Sequence, residues 1–319
     1  MQKIRANAKT MTIAAFGMYM ISLLISGSNG IVADGVQLSS SQIVFFRMVI
    51  GTAFLAVAFF AMRRKLTVLR NKRDLVFLAG GGAAMACELL FLYEAYQTAG
   101  VAMSTILCYL APIVVMVLSP VLFHEHLTAA KGAGFIVVVV GSLLINILAL
   151  DNGMSVQGIL CGLGSAAGLA SMVILNKKVT NTPGLERALV QMVSCAAVCA
   201  IYIAATKGLP QTVIAATVAG AWPSIIVIGA LAGISNLLYF IAISKLPVQS
   251  VAVCGYMEPL SAVLMSVVFL GEHMMLLQAI GAAMIVGGAL FGEVAGKKRS
   301  GEKTGARAAF KLLRHHRAA

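Results

Sequence analysis

Apolar runs of about 20 residues recur along the chain, separated by charged residues and by Pro/Gly punctuation; a helix needs roughly that length to cross about 30 Å of hydrocarbon. Segments drawn on this length fall at 11–33, 43–62, 75–97, 102–123, 132–150, 156–176, 188–206, 224–244, 248–270 and 274–295. The pattern predicts an all-α integral membrane protein with ten transmembrane helices. Between the seventh and eighth spans, the stretch 207–223 is apolar from Thr212 to Trp222 and fits the membrane interface, with Trp222 as a headgroup-level anchor.

Composition points the same way. Hydrophobic residues form 60% of the 319 and charged residues 11%, with a mean hydropathy of +0.94, which excludes the soluble two-domain protein that this length would otherwise suggest. The net charge of +13 then needs a location. With a cytoplasmic N-terminus, the cytoplasmic loops and tails hold 22 of the 24 Lys and Arg residues, including the loop from Arg63 to Asp74 and the tail after Lys297. Lys207 alone falls outside and Arg47 lies within a span, a bias that predicts the orientation and an even number of spans. The run from Met11 to Ala33 is too long for a signal-peptide core and ends without a small-x-small cleavage site, so it reads as a retained first span. Both termini are therefore expected on the cytoplasmic side of the cell membrane, with the lipid bilayer as the principal partner. The basic tail offers Arg307, Lys311 and Arg314 on one helical face, which suits the anionic inner leaflet or water better than nucleic acid.

The second half of the chain repeats the first at an ungapped offset of 147. Tyr109-Leu-Ala-Pro112 pairs with Tyr256-Met-Glu-Pro259, His124-Glu125-His126 with Gly271-Glu272-His273, Gly134 with Gly281, and Gly141 with Gly288. Five spans separate the copies, and five is odd, so equivalent helices must run in opposite directions. The expected organisation is a cytoplasmic tail (1–10), a first five-helix repeat (11–150), an inverted second repeat (156–295) and a basic tail (296–319). Inverted repeats are the recurrent plan of secondary transporters, because two antiparallel halves can rock about one central site.

Gly27-Ser28-Asn29-Gly30, Phe45-Phe46-Arg47, the paired Tyr-x-x-Pro segments, and Gly271-Glu272 followed by Gly281 and Gly287-Gly288 resemble the EamA-type family of the drug/metabolite transporter superfamily, over about residues 11 to 295. The resemblance implies two five-helix halves around a cavity lined mainly by spans 1, 3, 4, 6, 8 and 9, and substrates ranging from amino acids to toxic compounds. His124 departs from the pattern, because the second copy has Gly271 there and a histidine makes the turn less permissive.

Ionisable groups at membrane depth are costly and point to function or to a paired neighbour. Arg47 lies roughly 6 Å, and Glu94 roughly 5 Å, inside the outer ends of their spans, depths that suit an ion pair acting as a clip or an external gate. Glu88 and Glu258 both approach the midplane, roughly 14–15 Å from their span ends. Ionising a carboxyl in low dielectric is expensive, so such groups serve as proton carriers, as binders of a cationic substrate group, or as protonated ties to a neighbouring helix. Pro259 beside Glu258 removes a backbone donor and predicts a helix kink near Gly255, as Pro112 does in the first copy. Tyr109 and Tyr256 lie just under a turn before these prolines and can offer rings and hydroxyls to a cavity or to the bundle core. Asn29, Asn176, and Asn236 with Tyr239 are further polar candidates that also suit helix ties.

Other patterns carry less chemistry. The two histidines of His124-Glu125-His126 are too close in sequence for the helical zinc motif and read as loop, with Thr128 capping the next helix. Gly158, Gly162, Gly164 and Gly168 read as a packing face. The six cysteines fall in apolar runs as small hydrophobes, without CxxC or zinc spacing. No P-loop, Ser/His/Asp set or dinucleotide fingerprint is present, so neither a cofactor, a metal nor catalysis is expected. The sequence reads as a secondary transporter for a small organic metabolite, such as an amino acid or related compound, with protons as a second partner. The alternatives are a membrane-embedded enzyme or a flippase acting on lipid-linked substrates. The first lacks a nucleophile or metal ligands in the Arg63 to Asp74 loop; the second needs a lateral opening between helices.

Overall fold

A computed structural model describes residues 2–33, 37–63, 66–99, 104, 107–125, 128–147, 155–265, 268, 275–277 and 279–292. Among them the fold is entirely helical. The helices are α1 (Gln2–Ala33), α2 (Ser40–Ala61), α3 (Lys72–Ala99), α4 (Leu110–Phe123), α5 (Ala129–Ile147), α6 (Val156–Lys177), α7 (Gly184–Thr206), α8 (Leu209–Val218), α9 (Trp222–Ile243), α10 (Val248–Gly255), α11 (Met257–Met265) and α12 (Ala279–Gly292). A short 3-10 turn, Val68–Arg70, leads into α3.

Six of these helices (α1, α2, α3, α6, α7 and α9) are long and apolar enough to cross a membrane, and α4, α5, α8 and α12 are shorter apolar helices. Helix α1 begins at Gln2, so the basic N-terminal segment continues the first helix. The stretch 207–223 contains the ten-residue α8, whose length of roughly 15 Å is about half a hydrocarbon core. Gly208 precedes it at φ +76°, a conformation that a side chain would strain. Trp222 opens α9 and donates its indole N–H to Thr217 Oγ1 at 3.1 Å.

Local chemistry sets the helix ends. Ser155 Oγ accepts from the N–H of Gly158 at 3.0 Å at the start of α6, and Thr128 Oγ1 accepts from that of Lys131 at 3.3 Å at the start of α5. Helix α4 ends at His124 with φ 53° and ψ 28°. Left-handed geometry favours glycine, and histidine is among the other residues that enter it. Gly271 itself lies outside the described residues, as do Glu272 and His273.

Helix α3 packs on α6 and α7, α2 on α7 and α9, α1 on α9 and α11, and α4 on α6 and α10. The interior holds Tyr19, Met48, Phe59, Phe240 and Tyr256, while Val57, Leu160 and Ile201 lie largely exposed on the outer faces. An apolar exterior over an apolar core suits a bilayer rather than water. Cys195 and Cys199 are buried in this core, whereas Cys87 is exposed.

Glycines let backbones touch. A methyl group on Gly134 would lie 2.5 Å from the Gly288 carbonyl oxygen, and one on Gly141 would lie 2.6 Å from that of Gly281. As α5 runs from 134 to 141 its partner runs from 288 back to 281, so α5 and α12 cross antiparallel at backbone contact, with the Val138 and Met284 side chains packed beside the glycines. Gly162, Gly164 and Gly168 of α6 face Leu107, Phe91 and Glu88 of the same chain, which makes this small-residue face an internal one.

Candidate functional site

Two helix interruptions meet at the centre. Tyr109 precedes α4, and Tyr256 separates α10 from α11, so each tyrosine occupies a turn between helical residues. The expected kinks at Pro112 and Pro259 take the form of breaks placed three residues earlier. Each proline is the third residue of the helix after the break, where its missing N–H leaves no helical bond unmade. The breaks touch one another. The Tyr109 and Tyr256 rings lie 5.5 Å apart, the Tyr256 hydroxyl donates to the Tyr109 carbonyl at 2.6 Å, and Phe135 of α5 meets the Tyr256 ring edge-on at 5.9 Å.

Helix α1 supplies a third tyrosine. Tyr19 is 2% exposed, and its hydroxyl donates to the carbonyl of Val251, one turn before the end of α10. Beside it stands Tyr239 of α9, with ring centroids 5.6 Å apart. Serines fasten α9 and α11 to α1: Ser235 donates to the Ser22 carbonyl at 2.9 Å, and Ser261 Oγ lies 3.0 Å from the Leu23 carbonyl. Asn236 spends its amide on the Ala232 carbonyl of its own helix at 2.9 Å. The Asn29 side chain lies outside the described residues.

Charge gathers near these tyrosines. Glu88 of α3 is buried, Glu258 is the second residue of α11, and each lies within electrostatic reach of the other and of Arg47 in α2. Glu258 also acts on Tyr19, Tyr109 and Tyr239. Arg47 Nε is buried without a hydrogen-bond partner. Among the described residues, one guanidinium faces two carboxyls, so one carboxyl has no countercharge of its own. Gly168 allows this arrangement, because a methyl group there would come within 2.9 Å of the Glu88 Cα and Cβ.

Arg47 and Glu94, matched by depth in the sequence, have different surroundings. Helix α3 packs mainly on α6 and α7 rather than on α2, and Glu94 accepts from Gln157 Nε2 of α6 at 3.3 Å. Six residues separate Glu88 from Glu94, so they point to different sides of α3. Asn176 is also remote from the centre: its amide donates to Gln191 Oε1 at 2.7 Å, in a buried polar group with Arg187 and Asp74. There Asp74 accepts from Thr182 Oγ1 at 2.9 Å, and Glu186 accepts from the N–H of Val68 at 2.6 Å. These bonds fasten the turn before α3 to the start of α7. Among the described residues no cluster of three His, Cys, Asp or Glu side chains is suited to hold a metal ion.

Sequence reasoning missed Tyr19 and Glu125. A tyrosine eight residues inside an apolar run was the available signal for the first, since tyrosines of membrane proteins concentrate at the interfaces. Glu125 carried only its place in the repeat, because its partners are backbone N–H groups of a distant helix.

Residues 13–147 and, separately, 156–292 match the EamA-like transporter family. A protein described as "Uncharacterized transporter YxxF" of Bacillus subtilis (strain 168) is 24% identical over 275 residues, covering 84% of this chain and 86% of that protein. A solved crystal structure superposes with a TM-score of 0.72 at 18% identity, over 90% of this chain and 99% of the other, a likeness of fold.

Proposed function

Because the chain belongs to the EamA-like transporter family, we propose that this multi-pass membrane protein is a secondary transporter. It moves a small organic metabolite, an amino acid or related compound, across the cell membrane by alternating access, more readily outward than inward. The reading includes ten spans in two inverted five-helix halves, with both termini in the cytoplasm. Several observations support it. The family matches twice, side by side. The helix contacts pair off when span n is exchanged for span n + 5: α1 on α9 answers α6 on α3, and α2 on α9 answers α7 on α3. The antiparallel glycine crossing of α5 and α12 pairs Gly134 with Gly288 and Gly141 with Gly281, two contacts that turn into each other when the copies are exchanged, in keeping with a two-fold axis in the membrane plane.

The observation that carries the chemistry is the group of Arg47, Glu88 and Glu258 beside broken helices. A carboxyl left without a countercharge carries a proton or meets a cationic substrate group, and Tyr109, Tyr256 and Tyr239 line its surroundings. Two measurements test this. In liposomes, flux should depend on a pH gradient at constant membrane potential; equal flux with and without the gradient removes proton coupling. In a stabilisation screen with amino acids, amines, nucleosides and sugar phosphates, a shift in melting temperature should vanish in Glu88→Gln or Glu258→Gln. Shifts that persist in both variants move the site away from the carboxyls.

A further inference from the structure

At the end of the bundle where α3 and α7 begin, a belt of polar bonds joins the two halves of the chain. The Glu125 carboxylate, in the corner between α4 and α5, accepts from the N–H groups of Val248 and Gln249 at 2.8 and 3.1 Å. These are the first two residues of α10, so a side chain of the first half caps a helix of the second. Gln249 returns the contact through Nε2 to the Glu125 carbonyl at 3.4 Å, while its Oε1 accepts from Lys131 Nζ of α5 at 3.2 Å. Lys177, which ends α6, donates to the Leu246 carbonyl just before α10. Gln249 and Ser250 are buried beneath this belt.

We infer that Glu125 is the latch of a gate: its bonds to the start of α10 hold this end of the transport path shut, and their release opens it. The inference rests on the alternating-access reading. The latch lies eight residues, roughly 12 Å, along the helix from Tyr256, so it closes the path on one side of the tyrosine crossing. Its bonds suit a gate. They run between two chain corners rather than within one element, and water replaces each of them when the corners part. The helix N-terminus regains a partner in water, so opening leaves no buried donor orphaned.

The test reads the gate without needing a substrate. In protein whose native cysteines are replaced and which is held in lipid nanodiscs, Ser250→Cys places a thiol under the latch. Its reaction rate with a water-soluble maleimide reports opening. Glu125→Ala should raise that rate on the order of tenfold, the weight of a charge-assisted bond pair. Val248→Pro deletes one donor at a helix position that tolerates proline, and should raise the rate less. Melting temperatures of both variants separate gate opening from unfolding. Labelling that is unchanged in both folded variants overturns the latch, and retained flux in the same proteins would leave the transport reading standing. Faster labelling without flux of any substrate would support the latch while counting against that reading.

Discussion

The seam between α5 and α12 and the crossing of Tyr109 with Tyr256 are both places where equivalent parts of the two halves meet, yet they are built from opposite materials. At the seam, backbone lies on backbone: Gly134 faces Gly288, and Gly141 faces Gly281. At the crossing, two large rings and one hydroxyl-to-carbonyl bond fill the space between interrupted helices. Where backbone meets backbone no rotamer change can relieve the contact, so the seam resists local adjustment. A crossing of side chains can rearrange by turning a ring and exchanging one bond. The difference assigns the seam to the rigid frame and the crossing to the part that changes.

The comparison can be broken at either side. The largest effect is expected for Tyr256→Ala, which removes a side chain 1% exposed and should cost about 3 kcal/mol, read as denaturant-induced unfolding in detergent. Gly288→Ala comes next. Its methyl group would stand 2.7 Å from the Gly134 carbonyl oxygen, which cannot turn aside, and a loss of about 1–3 kcal/mol should follow. Tyr256→Phe keeps the ring and deletes one hydrogen bond, so a loss of about 0.6 kcal/mol is expected. Should it match the alanine variant, the hydroxyl rather than the ring would hold the crossing. Opposite in sign is Gly287→Ala, next to the seam but with nothing within 4 Å; a gain of up to about 1 kcal/mol from helix propensity is expected. Equal losses at 287 and 288 would sink the close-contact account of the seam.

Much of this was legible in advance. The expected spans at 43–62, 156–176 and 224–244 differ by only a few residues from α2, α6 and α9. That agreement follows from hydrophobic length, a property of each segment alone. The tyrosines and prolines of the repeat marked the helix interruptions to within three residues, because proline's missing N–H acts locally. Partner choice was less accessible. Depth matched Arg47 with Glu94, but rotation about the helix axis turned Glu94 toward Gln157 of α6. Glu125 was read as a loop residue, and its cap on α10 joins positions 123 residues apart.

The sequence by itself determined that the chain is a multi-helix membrane protein, where its helices lie and where two of them break, since length, hydropathy and proline act within a segment. Tertiary structure alone decided which faces meet. It set Tyr19 on the Val251 carbonyl, brought Arg47 within reach of Glu88 and Glu258, and seated Glu125 on the start of α10. Those outcomes depend on the rotation and approach of whole helices, which many weak contacts and a few glycines fix together and no single residue announces.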